Sequence, residues 1–209
     1  MQIILDIDNL RNSSIKEVID SRMKEFEEVG KKENKEIFKE LCFCLMTANF
    51  SAEGGIKIQK AVGDGFLVLP EDLLASKLRA LGHRFPNMRA KFVVNAREKG
   101  LHKNIKDKLN SFNNDIERRE FLVENVKGLG MKESSHFLRN IGYKDVAIID
   151  FHIIDLLVKN KLIEEPKTIT PKKYVEIEEV LKGISKKTGI NLGELDLYLW
   201  YLETGKILK

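Results

Sequence analysis

Asn125-Val126-Lys127-Gly128-Leu129-Gly130-Met131-Lys132-Glu133-Ser134-Ser135-His136-Phe137-Leu138 is the most informative run in the chain. A helix closing near Val126, a tight Gly-x-Gly turn and a new helix opening near Met131 make a helix–hairpin–helix. The two glycines admit backbone conformations that a Cβ forbids. They also leave their amide N–H groups uncovered. Together with the positive end of the next helix, those amides can hold one phosphate of a nucleic-acid backbone, with Lys127 beside them. A Gly-x-Gly alone is often only a turn. Flanking helices and a lysine two residues past the second glycine make this one stronger.

Outward from the hairpin, nearly every segment has helical spacing. Ser14-Ile15-Lys16-Glu17 reads as a capping box, followed by Ile15, Val18, Ile19, Met23 and Phe26, with Gly30 as the closing residue. Glu36 to Thr47 continues the pattern, and Ser51 can cap a helix carrying Ile56, Ile58 and Val62. Pro70-Glu71-Asp72 and Thr170-Pro171 are helix starts, and a last helix runs from about Leu192 to Leu202. Ile3 to Ile7 and Val146 to Ile149 are short apolar runs that suit strands, but neither has a partner. The expected class is therefore all-α, about ten helices joined by short loops.

Composition narrows the field. In 209 residues, 43% are hydrophobic and 33% charged, which excludes a disordered or low-complexity chain. Cys42 and Cys44 are too few for a disulfide framework, a four-cysteine cluster or a cysteine-built zinc site, and their apolar neighbours suit a reduced core. The longest charge-free run, Leu41 to Ala52, is twelve residues, short of the ~18 that a membrane span needs. The N-terminal residues show no basic region followed by an apolar stretch, so no signal peptide is expected and the cytosol is the expected compartment. The net charge is only +4, yet Arg84 to Lys108 holds eight basic residues against two acidic. Such a stripe is what a polyanion footprint looks like, although a solvated face of a lysine-rich protein gives the same count.

Lys132 falls in the first turn of the helix after the hairpin, where the dipole opposes a cation and partial burial acts the same way. Both favour a neutral amine, the form a lysine nucleophile needs; a phosphate contact or a solvated surface lysine is the bland alternative. Asp150 follows eighteen residues later, among Ala147-Ile148-Ile149 and Phe151, at the start of another helix. It can cap that helix while partly buried.

Gly128, Gly130, Lys132 and Asp150 together resemble the helix–hairpin–helix DNA glycosylase superfamily, whose signature is a Gly-x-Gly-x-Lys hairpin and a following loop that ends in aspartate. The loop here keeps Gly142 but lacks the proline usual in the superfamily. Thr47 to Gly55, Leu81-Gly82-His83-Arg84-Phe85, Ser135 to Asn140, Leu195 to Tyr201 and Gly205 to Lys209 narrow the resemblance to the compact type-2 8-oxoguanine DNA glycosylase/lyases. The two-cysteine count agrees, because the endonuclease III branch usually carries four cysteine ligands.

The resemblance implies an enzyme that flips 8-oxoguanine out of duplex DNA, excises it and then nicks the strand. Lys132 matches the nucleophile that attacks C1′ and forms a Schiff base, and Asp150 matches the aspartate that assists it. Trp200 matches the aromatic that stacks on the flipped base. Lys209 matches a final lysine in the base pocket, whose terminal carboxylate can accept hydrogen bonds. His83, Arg84 and Phe85 suit a wedge into the gap left by the base and a contact to the opposite strand, with Asn49 as a further candidate. Asp150-x-His152 is too few ligands for a metal, so His152 is read as a helix residue near the site and no metal is expected. No cofactor is expected either, and a monovalent cation at the hairpin carbonyls is left open. The partner is double-stranded DNA containing 8-oxoguanine, with no membrane involved, and a monomer is expected. The implied architecture is two helical subdomains flanking a DNA-binding cleft. Residues 1–30 give an N-terminal helix packed on the C-terminal subdomain, 31–138 a helical bundle ending in the hairpin, and 139–209 the C-terminal subdomain with the base-recognition tail. Two rivals stand: a glycosylase for another damaged base, and a non-catalytic helix–hairpin–helix module, which has no use for Lys132 with Asp150.

Overall fold

The structure is a computed structural model describing residues 1–209. It contains thirteen helices and no strand. They are α1 (Gln2–Arg11), α2 (Ile15–Lys31), α3 (Asn34–Thr47), α4 (Ala52–Val62), α5 (Gly65–Val68), α6 (Glu71–Ala80) and α7 (Pro86–Glu98), followed by α8 (Leu101–Asn110), α9 (Asp115–Asn125), α10 (Met131–Asn140), α11 (Phe151–Lys159), α12 (Pro171–Thr188) and α13 (Leu192–Thr204).

Local chemistry explains several starts. Ser51, Asn114, Asp150, Thr170 and Asn191 each accept a hydrogen bond from an amide in the first turn of the helix they precede. These bonds satisfy donors that the helix itself leaves open. Ser14 makes no such bond, so the capping box expected there is absent; Ser13 Oγ accepts from the Ile15 amide instead. Gly30 does not close α2 but lies inside it. A Cβ on Gly30 would stand 2.1 Å from the Ile141 carbonyl oxygen, so glycine is what lets α2 approach that backbone.

Neither apolar run expected as a strand is one. Ile3 to Ile7 is helical: Ile3 and Ile7 are buried while Leu5 is 57% exposed, a four-residue period where a strand would put all three on one face. Val146 to Ile149 is buried but runs alone between α10 and α11. Side chains take the place of a neighbouring strand, with Glu178 Oε1 accepting from the Ala147 amide at 2.8 Å and Tyr174 Oη from the Ile149 amide at 3.1 Å. That explains a strand-like composition without a sheet.

The helices bury their apolar faces in two cores. One gathers α3 to α9 with Phe137, Leu138, Ile141 and Val146. The other gathers α1, α2, α11, α12 and α13 with Ala147 and Ile149. The chain passes from one core to the other between Val146 and Ala147, in the connection that leads to Asp150. Cys42 and Cys44 lie fully buried in the middle of α3, where burial pushes both thiols well above their ordinary pKa. No helix is long and apolar enough to cross a membrane.

Candidate active site

The hairpin joins α9 to α10. Gly128 turns the chain at φ +95°, and a Cβ there would meet the Phe92 ring at 2.2 Å. Gly130 occupies the N-cap of α10 in extended backbone, and no side chain caps that end. The first-turn amides of α10 are therefore free to receive an anion, with Lys127 exposed alongside.

Beyond the hairpin a cleft of about 740 Å³ opens where the two cores meet. Lys132, in the first turn of α10, and Asp150, the N-cap of α11, both line it. Asp150 Oδ1 accepts from the Ile153 amide at 3.0 Å, and its other oxygen makes no bond within the chain. The free passage from Val146 to Ile149 is what carries Asp150 to the same cleft as a residue eighteen positions earlier.

The floor of the cleft is polar and buried. Arg139 Nη1 meets Asp196 Oδ2 at 2.7 Å, and both side chains are at most 10% exposed. Burial is the main cause that pushes Asp196 up to about 6, nearby Asp150 adds to it, and Arg139 and Lys132 oppose it. His136 lies one helical turn beyond Lys132, 7% exposed. Neither of its ring nitrogens makes a hydrogen bond. Burial, with the cations of Arg139 and Lys132, holds its pKa well below the ordinary imidazole value, although the Lys209 main chain passes close enough to oppose this. A buried polar group without a partner costs about 1–3 kcal/mol, so a polar group entering the cleft beside His136 would gain by pairing with it. The Trp200 indole N–H is likewise unpartnered. Trp200 lines the same cleft, with the His152 ring edge-on to it at 4.7 Å and Phe151, 66% exposed, beside His152.

The tail after α13 returns across the cleft, and Lys206, Leu208 and Lys209 line it. The Lys209 ammonium does not point into the open space: it is bonded to Glu40 and Gln59.

The residues expected as a wedge differ in exposure. His83 is 4% exposed. Its Nδ1 accepts from the Phe85 amide, its Nε2 donates to Met46 O at 3.0 Å, and its ring stacks on Phe50. In this conformation it fixes the loop that carries Arg84 and Phe85. Arg84 is exposed over the half-buried Phe85 ring, and Asn49 is exposed at φ +57° on the cleft wall. The basic stripe also shrinks. Arg89 donates to Ala48 O, Arg97 to Leu69 O, Lys99 to Asn125 O and Lys106 to Lys31 O, so half of its eight cations hold backbone carbonyls.

Sequence reasoning gave no role to His136, Arg139, Asp196, Glu40 or Gln59. His136 had a readable signal, since i and i+4 share a helix face and it follows Lys132 by four. The others are brought together only by the tertiary fold. No cluster of three His, Cys, Asp or Glu side chains gathers anywhere in the molecule.

A family model described as 8-oxoguanine DNA glycosylase matches residues 19–190. The chain is 54% identical to a Korarchaeum cryptofilum protein named 8-oxoguanine DNA glycosylase/AP lyase, over 99% of this chain and 98% of that one. Among solved structures it is similar to the 8-oxoguanine glycosylase/lyase of Methanocaldococcus jannaschii in complex with a 15mer DNA containing 8-oxoguanine, with a TM-score of 0.96, 56% identity and 100% of each chain covered. It is similar also to the 8-oxoguanine DNA glycosylase of Thermotoga maritima, with a TM-score of 0.92, 43% identity, and 100% and 99% of the two chains covered.

Proposed function

Because the chain belongs to the 8-oxoguanine DNA glycosylase family, we propose that it excises 8-oxoguanine from duplex DNA and then cleaves the strand at the resulting site. The observation that carries this reading is the convergence of Lys132 and Asp150 on one cleft beside an uncapped helix–hairpin–helix.

The hairpin amides and Lys127 take a phosphate of the damaged strand, and the target nucleotide turns out into the cleft. His83 holds the loop from which Arg84 and Phe85, together with Asn49, enter the space the nucleotide leaves. Trp200 offers a face for the flipped base to stack on, worth about 1–3 kcal/mol by analogy with other base–aromatic contacts. The Lys132 amine forms a bond to C1′ as the glycosidic bond breaks, and the base departs with the electron pair. Asp150 uses its free oxygen to accept the amine proton, and its charge stabilises the cation that develops on the sugar. The sugar ring opens to a Schiff base on Lys132. Loss of a C2′ proton then expels the 3′ phosphate by β-elimination. Such an enzyme works on chromosomal DNA in the cytosol, as a monomer with no membrane partner.

Borohydride trapping tests the reading. Wild-type protein with an 8-oxoguanine duplex should give a covalent adduct, and Lys132→Gln should give none. Asp150→Asn should slow trapping roughly 10²–10³-fold while its melting temperature holds, since asparagine also caps a helix well. No adduct with wild-type protein refutes the proposal.

A further inference from the structure

Around Lys209 lies a socket that the chemistry above does not use. Glu40, on α3, is 4% exposed, and a carboxylate that deep needs partners. One oxygen accepts from Asn140 Nδ2 at 2.8 Å; the other accepts from Gln59 Nε2 at 3.0 Å and from Lys209 Nζ at 2.8 Å. Gln59 Oε1 accepts a second bond from Lys209 Nζ at 2.5 Å, and the Phe43 ring centroid is 4.4 Å from that nitrogen. Residues of α3, α4 and α10 thus form an acceptor-lined, aromatic-backed socket for one ammonium.

The socket belongs to the first core, whereas Lys209 arrives on a segment that leaves α13 in the second. Between them, Lys206 pairs with Glu53 at 2.6 Å, but both side chains are more than half exposed. A solvent-screened pair of that kind contributes little, so the buried socket is what fixes the segment. The same segment lines the cleft and passes His136.

We propose that Glu40, with Gln59, is a positioning residue for base excision: by clamping the Lys209 side chain it sets where residues 206–209 stand as a wall of the base pocket. This rests on the proposed function. An irregular segment moves readily, and a 1 Å misplacement of a pocket wall can cost ~100-fold in rate. The effect falls on one of two activities. Excision needs the base held; cleavage of a strand that already lacks the base does not.

The test measures single-turnover excision on an 8-oxoguanine duplex and strand cleavage on an abasic duplex, for wild type, Glu40→Gln, Lys209→Met and the double variant. The ratio of excision to abasic cleavage should fall roughly 10- to 100-fold in each single variant. The double variant should be no worse than the worse single, because both remove one contact. A ratio within about twofold of wild type in Lys209→Met overturns the proposal, as does an equal fall of both activities. If Glu40→Gln melts at the assay temperature, Gln59→Leu, at a half-buried position, takes its place. A wild-type protein that cleaves abasic duplex but leaves 8-oxoguanine untouched sinks the substrate reading instead, and the ratio is then taken on the lesion that it does excise.

Discussion

His136 and Asp196 face one cleft, and burial moves them in opposite directions. An unfolded histidine titrates near 6.5. The folded imidazole is held below that, so under about pH 6.5 the unfolded chain binds more protons and acid weakens the fold. The stability from a neutral His136 is complete above about 6.5 and drains on acidification by at most ~1.4 kcal/mol per pH unit. Asp196 has the opposite sign. Raised to about 6, it keeps its proton more tightly in the folded state, so its own contribution favours folding at low pH and is lost as pH rises through about 6. Urea midpoints measured from pH 7 to pH 4 should therefore fall less in His136→Gln than in wild type, and more in Asp196→Asn. The reverse order would show that other groups govern the acid limb.

At the scale of the element, the two hairpin glycines are not equivalent. Gly128 holds a positive φ with Phe92 against its open face, while Gly130 has ordinary extended backbone and its Cβ would come no nearer than 3.3 Å to anything but its own neighbours, at the end of the Glu133 side chain. Gly128→Ala should lose about 1–3 kcal/mol of stability and most duplex affinity; Gly130→Ala should fold almost as wild type, with its defect confined to phosphate contact. Melting curves paired with duplex titration would separate the two. The same element shows what a sequence makes legible. A helix end, two glycines and a helix start act within a few residues of one another, so the hairpin could be read directly, and Asp150 announced itself by its own local signal, a helix cap after an apolar run. Ile3 to Ile7 could not, because five apolar-rich residues fit either period until the tertiary fold chooses which face to bury. His83 and the Arg84 to Lys108 charges show a related limit: residue type does not say whether a polar side chain faces outward or holds a carbonyl of its own chain. The Glu40–Lys209 contact joins residues 169 positions apart and leaves no local trace.

Over the whole molecule, buried charge joins the two cores. Arg119 on α9 meets Glu178 on α12 through two bonds, 2.5 and 2.8 Å, with both side chains 1% exposed. Arg139 and Asp196 repeat the arrangement between α10 and α13. Such a pair need not stabilise relative to well-packed apolar residues, but breaking it strands a charge. Arg119→Met should cost about 3–5 kcal/mol in denaturant titration, and adding Glu178→Leu should restore part of that, less what the orphaned Ala147 amide costs. An unchanged midpoint in the single variant would mean that water reaches the joint. A different consequence follows from Cys42 and Cys44. Only a thiolate reacts readily with an alkylating reagent, and burial denies these sulfurs both ionisation and access. The folded protein is chemically silent at sulfur until α3 leaves its core, so the pace of labelling under native conditions is a clock for complete opening, and each tagged chain records one such event.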